Sequence, residues 1–562
     1  MKAQRSLSVE SKGRPGRKEY LWTAAALALS VMAAAGCSGN GESGTEKATP
    51  GAGTQAPEKR GSISMSIYDR GNVPAEEGTI DNNRWTKWMN ENGPADIKFV
   101  PIPRSESLQK LNVLFASGTA PDLILEFDRS YLSQLYTQKQ LLPLDDLIAK
   151  HSTEYKKRLE EYPLIKKATT MPDGKMYNLA RPYNVDPQHF LYIRADWLKK
   201  LNLQAPATPE ELQAVARAFT EQDPDGNGKK DTEGIGLSFV SGMVLNHMFG
   251  TGFTLNGTDQ YPWVVENGKV VHDWERIKGA LSFQKQIYDA GYGDKDFVTD
   301  KNGQKQFQNW VSGKIGIRGG SMGGTDVKGY ETLKKNVPEA EVLVIALPKT
   351  SFGQFSPMLN TPVQFTGGIN AAAKDPVSVM KVVDFMASPE HEMAITNGIE
   401  GVHYKKGANG CAEQLDYDKY RKEVSYALDL NMLSNFAPDG CSSLDKKLNP
   451  TAAEKEMGEL LVKARELYVT PERPMPGITM KEFLPILPQE LDQINSNANK
   501  TILDLANKLI VSGGSYTPDQ FIQESKAVWE KAGGARVDEY IDKWYQENKD
   551  TAILMKDIYQ MK

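Results

Sequence analysis

Between Ile63 and Phe127 the chain alternates between short apolar runs and amphipathic segments, and this alternation restricts the fold more than any other feature. Ile63–Tyr68 has the period of two of a strand and ends in the turn Asp69-Arg70-Gly71-Asn72. A helical segment with Trp85, Trp88 and Met89 follows, then Ile97–Ile102 as a second strand. Ser105 is placed to cap a helix with Leu108, Leu111 and Phe115 on one face; Gly118 ends it and Pro121 blocks its continuation. Asp122–Phe127 (DLILEF) reads as a buried parallel strand. Strand, helix, strand, helix, strand is the pattern of an α/β lobe. At 562 residues the chain exceeds one ordinary core, so two or more lobes are expected.

A second run of clear signals spans Gly174–Gly234. Two apolar-aromatic runs, Met176–Leu179 and Phe190–Ile193, flank the proline-broken loop Arg181–Pro187. A helix opening Ala195-Asp196-Trp197 comes next. Another follows with Thr208 as N-cap, Pro209 at the first helical position and Glu211 closing a capping box. Its Leu212, Val215, Ala216 and Phe219 share one face. Farther on, WVVENGKVVHDW (Trp263–Trp274) reads as a hairpin turning at Asn267-Gly268. Trp85, Trp88 and Trp197 sit among apolar residues at helical spacing and are assigned to the core.

The N-terminus is a targeting segment. Lys2, Arg5, Lys12, Arg14, Arg17 and Lys18 precede an apolar run, Leu21–Ala35, short for a membrane span. Small residues then lead to Cys37, a pattern similar to the bacterial lipobox, in which the cysteine is diacylated and becomes the new N-terminus. Residues 1–36 are read as a lipoprotein signal peptide and 37–60, rich in Gly, Ser, Thr and Pro, as a flexible tether. The formal net charge is −5, and without the basic leader it is about −9. No basic stripe interleaved with aromatics occurs downstream, so nucleic acid is excluded as a partner. After Cys37 only Cys411 and Cys441 remain; an oxidising compartment permits their pairing, and two buried thiols are the alternative.

Several ordered segments carry a family resemblance. Ala116–Leu123 (ASGTAPDL) and Tyr192–Leu201 (YIRADWLKKL), the latter followed by Pro-x-Thr-x-x-Glu-Leu, resemble extracellular solute-binding proteins of ABC importers. Gly313-Lys314-Ile315-Gly316-Ile317 fits the same pattern. So does Asn397–Tyr404 (NGIEGVHY), a run typical of large firmicute lipoproteins similar to LipO and to alginate-binding proteins. The resemblance implies an α/β, two-lobed fold of the periplasmic-binding-protein type with a ligand cleft between the lobes. Lobe 1 would span 61–184 and resume over 366–411; lobe 2 would span 185–365 and resume over 412–562. It further implies a lipid-anchored monomer on the extracellular face of the bacterial cytoplasmic membrane. Such a protein captures a carbohydrate, an oligosaccharide in this reading, delivers it to ABC permease subunits, and performs no chemistry.

Candidate ligand residues follow from the rule that open α/β sheets bind beyond the carboxyl ends of their strands. They are Tyr68, Asp69 and Arg70; Phe127, Asp128 and Arg129; Arg181, Tyr183 and Asn184 at the first crossing; and Arg318 and Ser321 after the Gly-Lys strand. Glu400 and His403 come from the family's Gly-Ile-Glu segment. An acidic loop has the spacing of a calcium site: Asp223, Asp225, Asn227, the Lys229 carbonyl and Asp231, with Gly228 at the sharp turn. Thr232 stands where alginate-binding proteins carry a closing Glu, which leaves Glu233 as the candidate. Calcium there would be structural. Gly319–Gly323 also fits Gly-x-Ser-x-Gly, and a triad order with Asp375 or Asp384 and His391 or His403 can be written for a serine esterase. A glycosidase is a further enzymatic alternative. Against the esterase, no helix is expected directly after Ser321 and no oxyanion segment is present.

Overall fold

The computed structural model describes residues 60–255, 262–300, 302–321, 324–434, 441, 447 and 449–561. The leader, Cys37 and the tether up to residue 59 lie outside the described residues, as do Met322 and Gly323. Thirteen strands are described: β1 (Gly61–Asp69), β2 (Ala95–Pro103), β3 (Leu123–Leu125), β4 (Asn178–Pro182), β5 (His189–Arg194), β6 (Glu233–Ile235), β7 (Trp263–Glu266), β8 (Lys269–His272), β9 (Ile315–Ser321), β10 (Val342–Ile345), β11 (Val363–Ile369), β12 (Tyr404–Lys406) and β13 (Ala412–Gln414). Nine of them make two mixed sheets, each with its own core and its own helices, and β7–β8 and β12–β13 are separate two-stranded pairs.

The first sheet has the order β2-β1-β3-β11-β4. β1 runs parallel to β2 and β3, and β11 is antiparallel to both β3 and β4. The carboxyl ends of β1 to β4 therefore share one edge. Gly367, at φ 152°, lets β11 approach β3: a Cβ there would fall 1.9 Å from the Ile124 carbonyl oxygen. Helices Arg84–Asn92, Ser107–Ala116 and Pro376–Met386 cover this sheet, with Trp85, Met89, Leu111 and Val379 buried. Ser105 does not cap: it lies in a short 3-10 turn, and the helix starts two residues later without a side-chain cap.

The second sheet has the order β10-β5-β9-β6. Here helix Pro209–Glu221 forms with Thr208 as its N-cap, but the expected capping box does not close, because Glu211 reaches Ala207 N instead of the Thr208 backbone. The Thr208 hydroxyl accepts from Glu211 N at 3.2 Å, and the Glu211 carboxylate accepts from Ala207 N at 2.7 Å. Leu212, Val215, Ala216 and Phe219 are buried against the sheet. The hairpin β7–β8 turns at Asn267 and Gly268, both with positive φ, and docks on helix Ala535–Asn548 through Trp263 Nε1 to Asp538 and Val270 N to Asp542.

The chain crosses from β4 to β5 through 183–188 and returns from β10 to β11. The two crossings are bonded to each other: Tyr183 N donates to Pro362 O, Gln188 N to Met358 O, and Asn360 N to Asp186 O, at 2.8–3.0 Å. A small core of Leu359, Met475, Met480, Ile553, Met555, Ile558 and Tyr559 packs at the crossing. The C-terminal part divides. Val424, Tyr426, Leu430 and Leu433 are buried in the first sheet's core, whereas the expectation put everything beyond 411 with the second. Helices Ala452–Tyr468, Gln489–Val511, Pro518–Ala532 and Ala535–Asn548 pack on the second core. Their apolar faces read alike in sequence, so periodicity could not assign them to one sheet or the other. Cys411 and Cys441 are joined by a disulfide across 30 residues.

Candidate functional site: a cavity at the edge of the first sheet

The carboxyl edge of the first sheet borders a cavity of about 530 Å³. The residues after β2 (Arg104–Gln109), those after β3 (Glu126–Arg129), and the start of β11 with its approach (Thr361, Val363–Phe365) line it, together with Lys481 and Glu482. The placement follows from topology. β2 and β3 end on this edge, and antiparallel β11 begins there.

Phe127 and Phe365 give its lining two aromatic rings. The buried Tyr68 ring lies 5.8 Å from that of Phe127, and the Arg104 guanidinium stands 4.6 Å above Tyr68. The Tyr68 hydroxyl accepts from Phe127 N at 3.2 Å. Burial and the neighbouring Glu126 push that hydroxyl well above the ordinary tyrosine range. Glu126 is only 1% exposed; its Oε1 accepts from Asp128 N at 2.9 Å, and its Oε2 has no hydrogen-bond partner among the described residues. Asp128 caps helix Arg129–Thr137 by accepting from Tyr131 N. Arg129 donates to the Lys481 and Leu484 carbonyls and tethers the C-terminal segment to the cavity rim.

Phe127, Asp128 and Arg129 thus line the cavity; Tyr68 does not, being buried beside Phe127. Asp69 accepts from Gly71 N in the turn after β1, and Arg70 makes a two-point ion pair with Asp429 at 2.6 and 2.9 Å. Arg181 is bonded to Gln364 Oε1 and to the Asn431 carbonyl, and burial lowers its pKa to about 10. Tyr183 is half-buried at the crossing and Asn184 is exposed.

Arg318 and Ser321 stand on the second sheet, where both meet Asp326: Arg318 Nη1 donates at 2.7 Å, as do Ser321 N and Oγ. Glu400 is exposed in a turn. His403 is an interior residue of the first lobe, not a surface group. It is fully buried, its Nδ1 accepts from Ile399 N, its Nε2 lies 3.2 Å from Glu423, and its ring packs on Trp85. Sequence reading missed Arg104, Glu126, Gln364 and Lys481. Glu126 lay inside a run read as buried strand, and Lys481 belongs to a distant segment brought in by the fold.

The triad written from sequence is not assembled. A helix does begin at Gly324, contrary to expectation, but His391 is buried beside Trp88 and Phe385 in the first lobe. Asp375 and Asp384 both cap helices there.

The acidic loop is folded on itself. Asp223 accepts from Asn227 N and Gly228 N, and the Asn227 amide donates to Asp225 at 2.7 Å and Asp231 at 3.0 Å. Lys229 N donates to Asn227 Oδ1, and Lys314 pairs with Asp231. Among the described residues no group of three His, Cys, Asp or Glu side chains is arranged as a metal cage. The converging donors at 223, 225, 227 and 231 are all oxygens except the amide nitrogen of Asn227, a set that suits calcium once that amide turns its oxygen inward. Glu233 stands outside this cluster: it lies in β6, accepts from Asn309 at 3.2 Å, and is pushed up by burial.

The family model of the bacterial extracellular solute-binding proteins matches residues 73–393, more than half of the chain. The chain belongs to that family. This solute-binding protein is similar over 534 residues, at 26% identity, to the polygalacturonan/rhamnogalacturonan-binding protein YtcQ of Bacillus subtilis (92% of this chain, 96% of that one). It is similar to Lipoprotein LipO of the same organism at 24% identity (95% and 99%). The Streptococcus pneumoniae ABC-transporter substrate-binding protein FusA, solved with kestose, superposes with a TM-score of 0.65 at 21% identity (87% and 99%). An EF-hand mutant of FusA with fructo-nystose matches equally well. Among the described residues no helix is long and apolar enough to cross a membrane.

Proposed function

We propose that this solute-binding protein captures an oligosaccharide in the cleft between its lobes and delivers it to an ABC permease. The observation that carries the reading is the cavity itself. It is lined by an aromatic ring (Phe127), two guanidinium groups (Arg104 and Arg129), an amide (Gln364) and the carboxyl groups of Glu126 and Asp128. Sugars present apolar C–H faces and a rim of hydroxyls, which such a surface matches with ring contact and paired donors and acceptors. The names of YtcQ and of the FusA–kestose complex point the same way. Capture proceeds by closure of the lobes about the paired crossings, a population shift driven by ligand contacts made only in the closed state. Cys37 carries the lipid, and the protein acts as a monomer. Calcium, held by Asp223, Asp225, Asn227, Asp231 and the Lys229 carbonyl, stiffens the loop behind helix Pro209–Glu221.

Isothermal titration of the mature protein against oligogalacturonides and fructooligosaccharides tests the reading. Saturable binding of one class is expected, weakened by Phe127→Ala. Absence of binding to any oligosaccharide would overturn it.

A further inference from the structure

Phe239 adopts a backbone conformation that an aromatic residue rarely takes. Its φ is 45° and its ψ −113°. Ser241 N donates to Ser238 O at 3.1 Å, so Ser238–Ser241 is a turn with Phe239 in the corner that a type II′ turn gives to glycine. Lys139, Asn202, Asp223 and Asn267 also have positive φ; three of these four are Asn or Asp, which tolerate it. The Phe239 side chain nevertheless stays 40% exposed, so burial of the ring does not compensate for the strain.

The turn is locked from beneath. The buried Asp294 carboxylate accepts from Leu237 N and the Ser238 hydroxyl. Ser241 Oγ lies 2.7 Å from the buried Gln306 amide and accepts from Gly319 N at 2.8 Å, which ties the turn to the last residues of β9. Gly303 leaves room alongside: a Cβ at 303 would lie 3.2 Å from that of Phe239. His189 pairs with Ser321 at this end of the sheet, so the edge is the one where the crossing 183–188 enters the second lobe. Strained residues that their surroundings over-determine cluster at ligand sites.

We propose that Phe239 is the second lobe's stacking platform, holding its ring out at the cleft edge to receive the apolar face of a sugar. The proposal rests on the carbohydrate reading above and adds a second-lobe contact to the first-lobe cavity. Trigalacturonate and kestose are titrated against the wild type, Phe239→Gly, Phe239→Ala and Phe239→Tyr, with Tm measured for each. For whichever sugar the wild type binds, Phe239→Gly is expected to weaken binding about tenfold or more while raising Tm by about 1–2 °C, because glycine relieves the corner. Phe239→Ala should lose affinity without the gain in Tm, and Phe239→Tyr should hold affinity within about threefold. Unchanged affinity in Phe239→Gly overturns the proposal. So does a fall in its Tm, which would make the ring a packing residue. A wild type that binds neither trigalacturonate nor kestose, nor any other oligosaccharide, removes the carbohydrate reading and the platform with it.

Discussion

Replacing Asp326 with alanine should damage the second lobe far more than replacing either group that leans on it singly by a conservative neighbour. Arg318 and Asp326 are both buried and meet at 2.7 Å. At an effective dielectric near 20 that separation is worth about 6 kcal/mol of gross attraction. Desolvation offsets most of it, so the net worth of the pair against apolar residues is small, but an unpartnered buried guanidinium costs about 3–5 kcal/mol. Asp326→Ala also removes its two hydrogen bonds with Ser321 N and Oγ, at about 1 kcal/mol each. The expected loss is therefore about 5–7 kcal/mol. Ser321→Ala should lose about 1 kcal/mol, and the double variant Arg318→Met with Asp326→Leu should stay within about 2 kcal/mol of wild type. Urea unfolding followed by tryptophan fluorescence reads this directly, since Trp310 lies 5.6 Å from the Arg318 guanidinium. An Asp326→Ala loss below about 1.5 kcal/mol, or a double variant as weak as the single one, would refute the reasoning.

Three further outcomes are expected. Burial lowers His391 to about 3, below its unfolded value, so its contribution is present above pH 6.5 and is lost as pH falls towards 3. His391→Phe should therefore be about 2 kcal/mol less acid-sensitive at pH 5 than wild type, measured as the difference in unfolding free energy between pH 7 and pH 5. Replacing Cys411 and Cys441 by serine opens a loop of 30 residues and should cost about 3–4 kcal/mol in chemical unfolding, an effect that reducing agent reproduces in the wild type. Added calcium should raise Tm after chelation, and Asp223→Ala or Asp231→Ala should abolish that rise while Glu233→Gln leaves it intact.

Much of the fold was legible because its signals are local. The Thr208–Pro209 start and the Asn267-Gly268 turn each depend on a few neighbouring residues, and each formed as read. The site was less legible because a charged residue looks alike whether it faces ligand or its own lobe. Arg70, Arg181 and Arg318 each carry hydrogen bonds to partners the sequence could not name, at Asp429, Gln364 and Asp326. Arg104 and Lys481 reach the cavity from segments with no motif of their own. Phe239 carried no signal at all, since Ser-Phe-Val-Ser contains none of the residues that mark a type II′ corner.

The position of β11 also governs the order in which this molecule can be made. It lies between β3 and β4, yet it is synthesised only after every strand of the second sheet. Until then β3 and β4 have no shared neighbour, and the first sheet exists as two incomplete edges. The first sheet, though begun first, cannot be completed until the strands of the second have been synthesised. Long-range strand insertion of this kind is intrinsically slower than local helix formation. A chain cut before residue 363 would expose β3 as an unpaired edge, with pairing to other chains as its main hazard.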